Sequence, residues 1–119
     1  MSKVNTAKKI EVTILDSDEK VIDEFVIKRL SVATNTRRLV MTGKILESDV
    51  SDVAKNQLLT CAALASTLCD KKGDILYPTE DGYIILSDEI DVDIYDELCK
   101  AYVEINPLTP SLKAKKKKY

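Results

Sequence analysis

The stretch LLTCAALASTLCDKKGDILYPTEDGYIILSDEIDVDIYDELCKAYVEIN, residues 58–106, decides the fold. It completes a pattern that starts upstream. Val50, Val53, Ala54, Gln57, Leu58, Cys61, Leu64, Ala65 and Leu68 recur at steps of three and four, which predicts a core helix over 50–68. Ala62, Ala63 and Ala65 leave room on its flank for a neighbouring helix. Ser48 and Asp49 supply the start signal, and Asp52 falls in the first turn, where a carboxylate suits the helix dipole. Asp70, Lys71, Lys72, Gly73 and Asp74 stop the helix, with Gly73 able to take the left-handed conformation of a cap or tight turn. Ile75, Leu76 and Tyr77 favour extended backbone before Pro78. Residues 79–83 read as a loop and 83–86 as an apolar link without an evident partner. Ser87 is then expected to cap a last helix, in which Ile94, Leu98, Ala101, Tyr102 and Ile105 form the buried stripe, closed by Asn106 and Pro107.

Upstream the period changes. Ile10, Val12 and Ile14 alternate with Glu11 and Thr13, the period-two mark of a strand with one buried face. After a polar turn at 16–20, Val21, Ile22, Phe25, Val26 and Ile27 supply a second β-rich run, so residues 8–27 predict a hairpin. A lone hairpin is marginal in water, and its apolar face must lie on helices or on another subunit. Ser31 is placed as an N-cap, and Val32, Leu39, Val40 and Met41 suggest a helix of about three turns that Gly43 weakens. The expectation is an α+β fold: an N-terminal β-hairpin packed on a small, mainly α-helical domain of three principal helices. Its organisation reads as a flexible 1–7, a single domain over 8–110 and a disordered lysine-rich tail over 111–119.

A chain of 119 residues, 45% of them hydrophobic, builds one core more readily than two. Five of the 18 basic residues lie in the last seven positions, so the body sets 13 against 20 acidic residues. An acidic body with a lysine tail lacks a basic stripe interleaved with aromatics, which argues against nucleic acid as the partner. The sequence contains neither an apolar run of membrane-spanning length nor a secretion signal, and the expected location is the cytoplasm.

No histidine is present, so a serine or cysteine nucleophile would lack its usual base, and Gly43, Gly73 and Gly82 are too scattered to cradle a phosphate. Catalysis is not expected, and no cofactor is implied. Cys61, Cys69 and Cys99, without CxxC spacing, read as reduced thiols packed as small hydrophobes and not as metal ligands. Asp88, Glu89, Asp91, Asp93, Asp96 and Glu97 lack the Gly and Glu positions of a calcium loop. Carboxylates at a helix start contribute about 0.3–1 kcal/mol each at exposed sites, enough to explain them as a solvated start or a charged partner surface.

Two segments carry a resemblance. LLTCAALASTLCDKKGDILYP followed by DEIDVDIYDELCKAYVEINPLTP resembles the tail assembly chaperone family of long-tailed (lambda-like, siphovirus) bacteriophages. The corresponding features are the helix ending at Cys69-Asp70, the charged turn with Gly73, the pair Leu76-Tyr77, and Asn106-Pro107-Leu108, where the family usually has Asn-Gly-Leu. Pro107 changes the helix exit but still stops it. With the hairpin included, the resemblance covers residues 8–110. It implies a non-enzymatic chaperone that binds the tape measure protein and promotes tail tube assembly in the host bacterial cytoplasm, and that is absent from the finished virion. It also implies a longer product, made by ribosomal frameshifting near the end of the gene, that recruits the major tail tube protein. The sequence leaves open whether the chain forms a homo-oligomer.

The expected protein interface comprises Val21, Ile22 and Phe25 of the hairpin with Tyr83, Ile84 and Ile85 of the apolar link, because these lack obvious helical partners. Lys115, Lys116, Lys117 and Lys118 can be encoded by a continuous adenine tract, which makes their codons the candidate slippery site. The alternative function is a small cytoplasmic nucleic-acid-binding or transcription regulatory module, in which Arg37, Arg38 and the lysine tail would form a phosphate-binding surface.

Overall fold

The computed structural model describes residues 8–107; the tail, with Lys115, Lys116, Lys117 and Lys118, and the first seven residues lie outside the described residues. The elements run β1 (Lys9–Leu15), β2 (Val21–Lys28), α1 (Val32–Leu46), α2 (Asp52–Thr67), β3 (Leu68–Cys69), α3 (Gly82–Glu89) and α4 (Val92–Ile105). The predicted hairpin is present: β1 and β2 pair antiparallel with Val12 opposite Phe25, and β3 adds to β2, giving the order β1-β2-β3. The expected α+β architecture holds, with three long helices and α3 as a short fourth.

Local chemistry explains most of the boundaries. At the hairpin tip, the Asp16 carboxylate accepts from the backbone N–H of Asp18 (2.8 Å) and Lys20 (2.9 Å), and Glu19 sits at φ 63°. Ser31 caps α1 reciprocally: its hydroxyl accepts from the Thr34 N–H, and the Thr34 hydroxyl accepts from the Ser31 N–H. α1 runs past Gly43 to Leu46 because Met41 and Ile45, both buried, hold its last turns on the core. Their burial outweighs the roughly 1 kcal/mol that glycine costs a helix.

The start of α2 falls later than expected. Ser48 donates to the Ile45 carbonyl at 2.6 Å and so closes α1, while Ser51 accepts from the Ala54 N–H and caps α2. At its other end the period-3.6 pattern includes Leu68, yet the helix stops at Thr67. Leu68 and Cys69 pair with Ile27 and Val26 instead, where β2 would otherwise leave its backbone groups unpaired. The turn after β3 is tied by Asp70, whose side chain accepts from Lys72 and Asp74, with Gly73 at φ 92° as the left-handed position.

The core lies between the sheet and the helices. Ile14, Phe25 and Ile27 of the sheet meet Cys61, Leu64, Ala65 and Leu68 of the α2 region and Leu98, Ala101 and Ile105 of α4. α2 is central, packing against α1, α3, α4 and β2.

Candidate interaction surface

Residues 83–86, expected as an apolar link without a partner, lie inside helix α3, and the N-cap position of α4 is Asp91 rather than Ser87. Ser87 sits within α3, its hydroxyl donating to the Ile84 carbonyl at 2.7 Å. Helical spacing divides the apolar run. Tyr83 and Leu86 turn inward onto the core with Ile90, while Ile84 and Ile85 stay 43% and 39% exposed. A four-residue apolar run has no period of its own to separate helix from strand, which is why the sequence pattern missed α3.

A second division occurs in β2. Phe25 is buried in the core, whereas Val21 and Ile22 are more than half exposed near the hairpin tip. Of the six expected interface residues, Phe25 and Tyr83 therefore present their side chains to this chain's own core, and Val21, Ile22, Ile84 and Ile85 remain on the surface. The surface residues fall on two elements, the tip of the hairpin and the outer face of α3.

The link between β3 and α3 is held from inside. Arg37 of α1 donates through Nη1 to the Ala65 carbonyl at 2.7 Å and through Nη2 to the carbonyls of Tyr77 and Thr79, the latter at 2.7 Å. Burial pulls the Arg37 guanidinium below its usual pKa. Arg38 donates to the Asn35 side chain at 2.9 Å. Arg37 is thus committed to three backbone carbonyls of its own chain. Lys44 reaches Glu80 and Asp81 at 3.2 and 3.5 Å, fixing the entry to α3 from outside.

The cysteines are free thiols. Cys61 and Cys69 are buried, and burial pushes Cys61 up to about 11 with a smaller contribution from Cys99. High thiol pKa values leave little thiolate at neutral pH, the opposite of an activated nucleophile. Among the described residues no group of three or more Cys, Asp or Glu is placed to hold a metal ion, and no helix is long and apolar enough to cross a membrane. Exposed apolar side chains also occur elsewhere, among them Val32, Leu46, Val53 and Val92, so the surface offers apolar area for protein contact at more places than the hairpin tip and α3.

The sequence matches no family model and no curated protein sequence at a significant level. The fold, however, is similar to that of the solved tail assembly chaperone of bacteriophage HK97, with a TM-score of 0.52 and 12% identity, covering 86% of this chain and 92% of that one.

Proposed function

We propose that this protein is a phage tail assembly chaperone, acting by binding other proteins and not by catalysis. The single observation that carries the reading is the fold correspondence, which spans nearly the whole of both chains despite 12% identity. The resemblance of residues 58–108 to that family supports the same reading from the sequence side. In this reading the client is the tape measure protein, held soluble in the host cytoplasm while tail tube subunits assemble around it. The exposed Val21, Ile22, Ile84 and Ile85 are among the apolar contacts available for it. A longer frameshifted product would share the folded domain and carry a further segment for the major tail tube protein, with the slip at the codons of Lys115, Lys116, Lys117 and Lys118. The chaperone itself would be absent from the finished virion.

The test is co-expression with the tape measure protein of the same genome. The expected result is that the tape measure protein becomes soluble and co-purifies with this chain. A tape measure protein equally insoluble with and without it would overturn the reading. The frameshift component is decided separately, by reading the codons: an unbroken adenine tract with an overlapping open frame supports it, and an interrupted tract removes it.

A further inference from the structure

The hairpin tip and the start of α4 enclose a groove of about 710 Å³. Part of its lining is apolar. Ile14, Ile94, Leu15 and Ile22 line it, the last two 50% and 57% exposed. Ile22 is set apart by a β-bulge: Ile14 pairs with Asp23 and Leu15 with Val21, so Ile22 has no cross-strand partner.

The same groove is strongly acidic. Asp16, Asp91, Asp93, Asp96 and Glu97 line it against one ammonium, Lys100, which is paired with Glu97 at 3.1 Å. The helix dipole accounts for Asp91 and Asp93 at the N-terminus of α4. Asp96 and Glu97 lie in the second turn, beyond the reach of that effect, and helix-start chemistry does not explain why Leu15 and Ile22 remain exposed beside them. A concave surface that combines exposed apolar side chains with an excess of one charge fits an amphipathic segment of the opposite charge.

We propose that this groove binds a basic amphipathic segment of a protein client, its apolar side chains against Leu15, Ile22 and Ile94 and its lysines or arginines against Asp93, Asp96 and Glu97. The inference deepens the chaperone reading and rests on it, since it states the chemistry of the client. Anionic partners are repelled by the same field, so a nucleic acid does not fit here.

The experiment uses the full chain and a labelled 14-residue amphipathic peptide of leucine and lysine, followed by fluorescence anisotropy. A leucine and glutamate peptide of the same pattern and an oligolysine of equal charge serve as comparisons. The expected result is that the leucine-lysine peptide binds at least tenfold more tightly than either, with affinity falling as salt rises. Ile22→Ser and the double variant Asp96→Asn, Glu97→Gln each weaken it at least tenfold with unchanged circular dichroism and thermal melting, while Asp88→Asn on α3 leaves it unchanged. Equal binding of the leucine-glutamate peptide, or undiminished binding by folded Ile22→Ser, would overturn the proposal. Replacing Lys115, Lys116, Lys117 and Lys118 with glutamine in the full chain identifies a competing occupant. A tenfold gain in peptide affinity would assign the groove to the chain's own tail and overturn the client assignment. The two proposals fail separately: a tape measure protein that co-purifies with both groove variants sinks the groove and leaves the chaperone reading standing.

Discussion

The guanidinium of Arg37 donates to the carbonyl of Thr79, 42 residues further along the chain, at 2.7 Å. Together with its bonds to Ala65 and Tyr77, this makes one α1 side chain the common anchor for the end of α2 and the link that leads to α3. Arg37→Met should therefore destabilise the domain by about 2–3 kcal/mol, because partly buried carbonyls lose a charged donor. Arg37→Lys should recover part of that loss, since one ammonium cannot reach three carbonyls with the fork geometry of a guanidinium. Urea denaturation measures the loss, and limited proteolysis should cut Arg37→Met faster within residues 74–81.

Two glycines should respond to alanine with opposite signs. A Cβ on Gly82 would lie 2.7 Å from the Tyr77 carbonyl oxygen and 3.0 Å from both Tyr77 Cβ and Arg37 Nη2, so Gly82→Ala should cost about 1–3 kcal/mol by forcing that packed corner apart. A Cβ on Gly43 meets nothing within 4 Å, and Gly43 lies inside a helix. Gly43→Ala should stabilise by about 0.5–1 kcal/mol. Thermal melts of the two variants, shifted in opposite directions from the parent, check both.

Asn106 ties the end of α4 to the junction between β2 and α1. Its side-chain oxygen accepts from the Leu30 N–H at 2.8 Å and its amide donates to the Lys28 carbonyl at 3.2 Å. Asn106→Ala removes both bonds and strands a half-buried N–H, for an expected loss of about 1–3 kcal/mol. Asn106→Asp should be intermediate, because a carboxylate still accepts from Leu30 but cannot donate to Lys28. Denaturant midpoints of the two variants give the order.

Alkaline pH should unfold the domain. Burial, with the hydrogen bond to Glu89, pushes Tyr77 up to about 12 from 10.0, burial does the same to Tyr95, and Cys61 is raised from 9.0 to about 11. These folded values lie above the unfolded ones, so above pH 9 the unfolded chain releases protons first. The stability contributed by these groups is complete below pH 9 and is lost as pH rises through 11 and 12. A denaturant midpoint that falls between pH 9 and 11 checks this, and Tyr77→Phe should make the fall shallower.

Legibility in the sequence followed the length of each pattern. The hairpin was readable because Ile10, Val12 and Ile14 keep a strict alternation. The cap of α1 was readable at Ser31, a residue type that favours this position, while its reciprocal partner Thr34 was not. Two residues of strand carry no period, so β3 was absorbed into the helix before it. The start of α2 was displaced because three hydroxyl or carboxylate candidates, Ser48, Asp49 and Ser51, compete within four positions, and Ser48 is used by the preceding helix. Among the interface candidates, apolar character alone could not tell Phe25 and Tyr83, which this core consumes, from Ile22 and Ile84, which it leaves outside.

The Asn106 contact has a consequence for the order in which the domain can be completed. During synthesis the hairpin and α1 leave the ribosome first, yet the backbone groups at Lys28 and Leu30 wait for a side chain 76 to 78 positions behind them. Until that residue emerges, the Leu30 N–H and the Lys28 carbonyl at the junction between sheet and first helix lack these two bonds. A nascent chain halted before position 106 thus carries an open seam at its oldest part, and closure of that seam reports that the last helix has arrived.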